Sequence, residues 1–193
     1  ALVAWVEYLR LKPENKEVCN EITKDINRLN MITQRFSQIG TNPELLPQNI
    51  IPVVQNAMAY LSSRSSKKVN FVLNLPQDTE IILPINQCLI EWTLENLSKN
   101  AIDAMGGIGT LTLDLTQDSK RVFIDVSDTG KGMPKKQFKK VFEAGFTTKE
   151  RGWGMGLSLA KRIIEEYHHG KIFVKQSTIN RGTTFRIVLK KEE

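Results

Sequence analysis

The spacing of apolar residues divides the chain into a short helical region and a longer region of helices and strands. Apolar residues recur at helical spacing over residues 1–11, and Pro13 ends this pattern. A second helical pattern continues to about residue 39, with apolar residues one heptad apart. We therefore predict an antiparallel helical hairpin over residues 1–40 and a proline-containing linker over residues 41–47.

Residues 48–193 alternate between helical and strand patterns, and we predict that they form one domain. Helical spacing predicts helices over residues 51–63, 87–105 and 157–167. Short apolar or alternating runs predict strands over residues 69–75, 80–85, 110–115, 122–126, 171–176 and 183–189. Because the helices fall between groups of strands, the predicted fold is an α/β sandwich, a mixed sheet covered on one face by three helices.

The apolar seam of the predicted hairpin indicates a packing partner. Two short antiparallel helices bury little surface by themselves, and pairing with a second copy in a four-helix bundle would remove the seam from water at about 25 cal/mol per Å². The alternative is that the helices pack onto their own second domain. We predict a homodimer that forms through the N-terminal helices.

Composition and charge are those of an ordinary globular protein. The chain has 193 residues, of which 25% are charged and 40% hydrophobic, and a formal net charge of +6. Its paired lysines are typical of solvated surfaces, so nucleic-acid binding is not inferred. No apolar run is long enough to span a bilayer and no signal peptide is present. Cys19 and Cys88 have no metal-ligand spacing, and this favours a reduced, cytoplasmic setting. A cytoplasmic setting is compatible with a membrane anchor elsewhere in a longer parent protein.

Three motifs in order contain the residue types that a magnesium nucleotide requires. The first, Glu95 to Ala104, places Asn96 and Asn100 four residues apart, on one face of the helix over residues 87–105. An amide oxygen is a hard ligand suited to Mg²⁺, which takes few protein ligands. These two asparagines are therefore candidate metal and phosphate contacts.

The second motif, Asp128 to Met133, follows an apolar strand pattern. A carboxylate at a strand end can accept a hydrogen bond from an exocyclic amino group such as that of adenine, and such bonds contribute about 1.5–3 kcal/mol. Gly130 and Gly132 allow a tight turn and a close approach to a flat base. Met133 is predicted to be pocket wall or core filler.

The third motif contains Gly152, Gly154 and Gly156 directly before the helix over residues 157–167. This arrangement predicts free backbone amides at the positive end of a helix, which suit phosphates. Trp153 would either close over the ligand or hold the segment on the core, and Met155 is predicted to be pocket wall or core filler. Together the three motifs predict a nucleotide pocket.

The ordered set of asparagine box, Asp-x-Gly-x-Gly, Gly-x-Gly-x-Gly-Leu and a final Gly182-Thr183 resembles the Bergerat ATP-binding fold. Gyrase, heat-shock chaperones, mismatch-repair ATPases and histidine kinases share this fold. Residues 141–149, Val-Phe-Glu-Ala-Gly-Phe-Thr-Thr-Lys, resemble the phenylalanine box of sensor histidine kinases. The resemblance covers residues 47–190. It implies magnesium on Asn100, adenine on Asp128, and a flexible lid over residues 134–153.

Several residues near these motifs are further candidates. Asp103 would contact the phosphates through water or brace its helix, and Lys99 would neutralise phosphate charge or lie exposed. Thr147, Thr148 and Lys149 are predicted to cover the terminal phosphate; the alternative is a flexible polar loop. The predicted ATP or ADP contacts are Asn96, Lys99, Asn100, Asp103, Ala104, Asp128, Gly130, Gly132, Met133, Thr147, Thr148, Lys149, Gly152, Gly154, Met155, Gly156, Leu157 and Thr183, with Asn96 and Asn100 as the catalytic pair and Asn100 as the Mg²⁺ ligand.

The resemblance also predicts where the phosphoryl acceptor lies. In histidine kinases the acceptor histidine is on the first of two dimerisation helices, and residues 1–11 contain no histidine. His168 and His169 follow the helix over residues 157–167, where histidine commonly caps a helix end. The acceptor is therefore expected upstream of Ala1, in a longer protein.

One position in the asparagine box favours a kinase over a hydrolase. The hydrolases of this fold have a water-activating glutamate where this chain has Asn96, and Glu95 is rotated by about 100° around the helix. A carboxylate that cannot reach the water is a poor general base. The sequence thus predicts transfer of the γ-phosphoryl of Mg-ATP to a histidine and then to a response regulator receiver domain. The alternatives are a Bergerat-fold ATPase, a serine-type protein kinase and a nucleotide-binding module without catalysis.

Overall fold

The computed structural model describes residues 43–76, 80–149 and 154–191, together with five single residues nearer the N terminus. The chain separates into two compact units, residues 1–43 and 44–193. Apart from five single residues, the predicted hairpin and its dimer seam in the first unit lie outside the described residues. The single described residues of that unit are all helical: Leu9, Cys19, Ile22, Thr23 and Ile26.

The second unit alternates helices and strands as the apolar spacing predicts. In chain order its elements are β1 (Leu46–Asn49), α1 (Ile50–Arg64), β2 (Val69–Asn74), β3 (Ile82–Ile85), α2 (Gln87–Ala104), β4 (Gly109–Gln117), β5 (Arg121–Asp128), α3 (Gly156–Arg162), β6 (Lys171–Thr178) and β7 (Gly182–Lys190). Two 3-10 turns, Lys135–Gln137 and Lys140–Phe142, lie between β5 and α3, and a π-helical turn, Ile163–Tyr167, continues α3. Among the described strands, only β1 has no counterpart in the prediction, and it begins inside the predicted linker.

Five strands form one mixed sheet in the order β2-β4-β5-β7-β6. β2 and β4 are parallel, whereas the other neighbouring strands pair antiparallel. β1 and β3 form a separate antiparallel pair. The prediction of an α/β sandwich with a mixed sheet and three helices is confirmed for this unit.

The core forms where one stripe of each helix meets one face of the sheet. On α2, Ile90, Leu94 and Leu97 are fully buried, at the spacing that keeps side chains on one side of a helix. On β4, Leu111, Leu113 and Leu115 are buried, and the residues between them are partly exposed. Because one side of α2 packs against this core, another side is available for the asparagines of the first motif.

His168 connects the end of the π-helical turn to the beginning of α2. Its Nδ1 lies 2.8 Å from the carbonyl oxygen of Ile163, and its Nε2 accepts a hydrogen bond from the Asn86 amide at 3.1 Å. Only a neutral imidazole with its proton on Nδ1 satisfies both contacts. Burial lowers the pKa of His168, the Ile163 carbonyl opposes this effect and His169 adds to it. His168 is therefore a structural residue, consistent with a histidine at a helix end.

We expect the second unit to lose stability as the pH falls below about 6.5, the ordinary pKa of histidine. Since the folded-state pKa of His168 is lowered, the unfolded chain binds more protons in this range, and the free energy of unfolding decreases by at most about 1.4 kcal/mol per pH unit. Urea unfolding between pH 7.5 and 5.5 measures this slope. His168→Gln should flatten it and His169→Gln, at an exposed position, should not. An equal slope in all three proteins would contradict the assignment.

Two further observations concern the environment of the chain. No helix within the described ranges is long and apolar enough to cross a bilayer. Neither Cys19 nor Cys88 takes part in a disulfide bond. The cytoplasmic setting stays a prediction.

Candidate nucleotide-binding site

Asp128 is the last residue of β5, and its side chain lies buried at the end of that strand. Its Oδ1 accepts a hydrogen bond from the Gly130 amide at 2.7 Å, and the Thr183 amide also donates to this carboxylate. Burial raises the pKa of Asp128, and the two backbone hydrogen bonds oppose part of that rise. The backbone thus fixes a buried acceptor, which is the group that an exocyclic amino group requires.

Two glycines after β5 are required by close packing of backbone on backbone. A Cβ on Gly130 would lie 2.6 Å from the carbonyl of Ala104, and a Cβ on Gly132, which has φ +63°, would overlap the carbonyl oxygen of Thr178. The Lys131 amide donates to the Ala104 oxygen at 3.0 Å. The turn after Asp128 is therefore fixed against the end of α2, and the predicted approach of these glycines to a base stays a prediction.

Ser177 on β6 supports this turn, although the sequence did not indicate it as a site residue. Its hydroxyl donates to the Gly182 oxygen at 3.0 Å, accepts from the Met133 amide at 2.8 Å and lies 2.9 Å from Thr183 Oγ1. Met133 is partly buried and Thr183 is buried. Ser177 thus holds two of the predicted contact residues beside Asp128.

Asn96, Asn100 and Asp103 follow one another along one side of α2. The Nδ2 of Asn96 is buried and has no hydrogen-bond partner within the part of the chain that the structure describes. A Cβ on Gly156 would lie 3.7 Å from Asn96 Oδ1, so the beginning of α3 is beside this amide. A buried amide donor without a partner costs free energy, which a phosphate oxygen could restore.

Lys99 lies off this row of α2 and interacts with Glu95. The Lys99 ammonium is 3.5 Å from Glu95 Oε2, and the Glu95 side chain is 8% exposed. Residues 95 and 99 are rotated by about 100° from the row formed by residues 96 and 100. The described contacts of Lys99 are therefore with Glu95, and its predicted phosphate contact stays a prediction.

The segment between β5 and α3 is anchored by an aromatic pair and by its glycines. Phe142 is buried and meets Phe185 of β7 edge to face, with ring centroids 6.0 Å apart at an angle of 87°. The Gly145 amide donates to the Gly154 oxygen at 3.1 Å. These contacts bring the two ends of residues 145–154 together, and the flexibility predicted for the lid stays a prediction.

The Thr147-Thr148-Lys149 stretch extends from this anchor toward α2. Both threonines are exposed, and Thr147 Oγ1 accepts a hydrogen bond from the Lys149 amide at 3.1 Å. The Lys149 ammonium donates to Asn100 Oδ1 at 2.8 Å and to Asp103 Oδ2 at 2.5 Å. The structure thus brings Lys149 to the predicted metal ligand.

The glycines of the third motif, called the glycine box below, precede α3 or begin it, and the first turn of α3 lies beside Asn96. Among the described residues no side chain caps this turn, so its amides are available to an anion at the positive helix end. Gly154 has φ +63°, and a Cβ there would lie 2.5 Å from the Gly145 carbonyl carbon. Met155 is 58% exposed and Leu157 packs partly buried against the core. Gly152 and Trp153 lie outside the described residues.

The residues around Asn100 fit a magnesium ion that is held mainly by phosphates and water. Among the residues that the structure describes, no three or more His, Cys, Asp or Glu side chains converge on one point. Mg²⁺ commonly uses one or two protein oxygens together with substrate phosphates. The Lys149 ammonium on Asn100 Oδ1 demonstrates that a cation can approach this oxygen. Asn100 would supply the protein ligand in such a site.

Comparison with known proteins gives a family and several relatives. The family model for histidine kinase-, DNA gyrase B-, and HSP90-like ATPases matches residues 87–193. The chain is 35% identical over 156 residues to the sensor protein TdiS of Thauera aromatica, covering 76% of this chain and 28% of that protein. It is 30% identical over 179 residues to the sensor histidine kinase ZraS of Salmonella typhi, covering 91% and 38%. The chain thus spans less than two fifths of the length of these relatives.

Solved structures share the fold. The catalytic domain of histidine kinase ThkA aligns with a TM-score of 0.68 and 27% identity, over 77% of this chain and 97% of that domain. ThkA in complex with the response regulator protein TrrA aligns with a TM-score of 0.68 and 23% identity, over 99% of this chain and 57% of that one. Full-length ShkA in complex with AMPPNP gives 0.69 and 20%, over 100% and 43%.

These matches confirm the predicted resemblance to sensor histidine kinases. The family model begins at the first residue of α2, so it includes Asn96 and Asn100, Asp128 and the glycine box. The chain belongs to the histidine kinase-, DNA gyrase B- and HSP90-like ATPase family, and its second unit has the fold of a histidine kinase catalytic domain.

Proposed function

We propose that the chain is the ATP-binding kinase region of a two-component sensor. It would transfer the γ-phosphoryl of Mg-ATP to a histidine elsewhere in a longer protein, and the phosphoryl would then pass to an aspartate of a response regulator. The single observation that supports this most is the position of Asn96. This residue stands where a hydrolase of this fold would have its glutamate. It lies beside the beginning of α3, and its buried amide nitrogen has no hydrogen-bond partner among the described residues.

The nucleotide would lie between α2 and the glycine box. Asp128 would accept a hydrogen bond from the adenine amino group. Asn96 Nδ2 and the first-turn amides of α3 would donate to phosphate oxygens, and Asn100 Oδ1 would be a ligand of Mg²⁺. A bound magnesium ion would neutralise phosphate charge during phosphoryl transfer, a reaction in which positioning and electrostatics supply most of the catalysis.

The environment of Glu95 supports transfer rather than hydrolysis. Its carboxylate is paired with Lys99 and largely buried on another side of α2. A general base must come within hydrogen-bond reach of the water it activates. A carboxylate in this position would not activate water for hydrolysis. The γ-phosphoryl group would instead be transferred to an acceptor on another segment.

The relatives support the proposed partners. ThkA has been solved with the response regulator TrrA, and we propose that this chain likewise acts on a receiver domain. The AMPPNP complex of ShkA supports an adenine nucleotide as the ligand. A homodimer through the N-terminal helices and a cytoplasmic location complete the proposal.

A phosphorylation assay on the longer protein, with the segment before Ala1 restored, tests this function. Incubation with γ-labelled Mg-ATP should give acid-labile, base-stable label, which is the signature of phosphohistidine, and the label should move to a receiver domain. Asn100→Ala should abolish the label, whereas Asn74→Ala, on an exposed strand position, should not.

Three other outcomes would contradict the proposal. Acid-stable label would indicate a serine-type kinase. Release of inorganic phosphate without labelled protein would indicate an ATPase. Nucleotide binding with neither label nor release would indicate a binding module.

A further inference from the structure

The Lys149 ammonium occupies a cation position on α2. It lies 2.8 Å from Asn100 Oδ1 and 2.5 Å from Asp103 Oδ2, and these two residues are one helical turn apart. An amide oxygen beside a carboxylate oxygen is a combination that also suits a hard divalent cation, directly or through water. The lysine belongs to the lid, so its contact joins the lid to the asparagine row.

We propose that Lys149 and Mg²⁺ exclude each other from this position, so that Lys149 raises the Mg²⁺ concentration that nucleotide binding requires. The inference rests on the proposed nucleotide site. Two cations that share one amide oxygen would lie within a few ångströms of each other, where like charges repel strongly. Before metal and nucleotide bind together, the ammonium must therefore leave Asn100 Oδ1.

Asp103 has a definite role in this exchange. It is the only negatively charged partner of Lys149 within the described ranges. Asp103 would hold the ammonium in the nucleotide-free protein. Once released, Lys149 would be free to interact with phosphate oxygens, as predicted for the Thr-Thr-Lys stretch.

The size of the effect follows from the exposure of the pair. The side chains of Lys149 and Asp103 are 39% and 56% exposed, and ion pairs at such exposure contribute little. Removing the lysine should therefore lower the Mg²⁺ concentration for half-maximal ADP binding by about two- to fivefold. ADP is the suitable ligand because it lacks the γ-phosphate to which Lys149 could bind afterwards.

The first experiment measures ADP binding by calorimetry over a series of MgCl₂ concentrations at constant ionic strength. Lys149→Met should shift the Mg²⁺ midpoint downward. Lys161→Met is the matched control, because Lys161 also forms an exposed ion pair, with Glu165 at 3.7 Å on α3. An unchanged midpoint in Lys149→Met, with ADP still bound, would overturn the proposal.

The second experiment needs no nucleotide. Acetylation rates of individual lysines, measured by mass spectrometry, should show Lys149 to be protected relative to the exposed Lys139. Asp103→Asn should remove the protection, and MgCl₂ should reduce it compared with KCl of equal ionic strength. If ADP binds none of the proteins, the proposed function fails, and this arm still decides the inference. Equal acetylation of Lys149 under all conditions would overturn it.

Discussion

Asp128→Asn is expected to lower the affinity for adenine nucleotides by about ten- to a hundredfold without unfolding the second unit. A hydrogen bond to a charged group contributes about 1.5–3 kcal/mol, and the replacement amide can present a donor where the adenine amino group needs an acceptor. The remaining Oδ1 of asparagine can still accept from the Gly130 amide, which bonds to Asp128 at 2.7 Å. Calorimetric titration with Mg-ADP measures the loss.

The controls separate recognition from folding. Asp114→Asn changes a carboxylate on the neighbouring strand β4, which accepts from Asn74 Nδ2 at 2.7 Å, and should bind nucleotide like the unaltered protein. Asp128→Asn should melt near the unaltered protein in the absence of nucleotide, since burial already disfavours the charge of Asp128. Undiminished ADP binding by Asp128→Asn would show that Asp128 does not recognise adenine.

Gly182→Ala is expected to destabilise the second unit by about 3 kcal/mol, the combined cost of backbone strain and overpacking. Gly182 has φ +96°, and a Cβ there would overlap the carbonyl oxygen of Asp128. The β5 end and the turn into β7 must then separate, which also displaces Thr183. For a domain of this size, the melting temperature should fall by about 6–12 °C.

Gly106→Ala is the matched control for this prediction. Gly106 also has a left-handed backbone, with φ +63°, but a Cβ there would have no atom within 4 Å. Its cost should be limited to the strain of about 1–2 kcal/mol. Equal melting temperatures for the two variants would show that the close approach of Gly182 to Asp128 has no energetic consequence.

The helices and strands could be predicted because their apolar spacing agrees with the final packing. The buried residues of α2 recur at helical spacing and those of β4 alternate, as the sequence pattern requires. β1 was missed because Leu46–Asn49 is short and includes proline, which is depleted in strands. The π-helical turn at Ile163–Tyr167 has no distinct apolar period and was predicted as ordinary helix.

The site was predictable motif by motif, but contacts between motifs were not. Asp128 could be assigned because it begins a glycine motif directly after a strand pattern. Asn96 and Asn100 could be assigned because residues four apart lie on the same face of a helix. Lys149 on Asn100 joins residues 49 positions apart, and Arg186 bonds to Asp125 across 61 positions. Such pairs depend on how strands and lid come together, which local spacing does not encode. The same reason explains why Ser177 was missed.

A crystal structure with Mg-ADP tests the central claim most directly. We predict that the adenine amino group lies within about 3.2 Å of an Asp128 carboxylate oxygen and that Asn100 Oδ1 lies about 2.1 Å from the metal. The Lys149 ammonium should have left Asn100. Nucleotide bound elsewhere on the chain, or bound here with Asp128 and Asn100 facing away from it, would contradict the account.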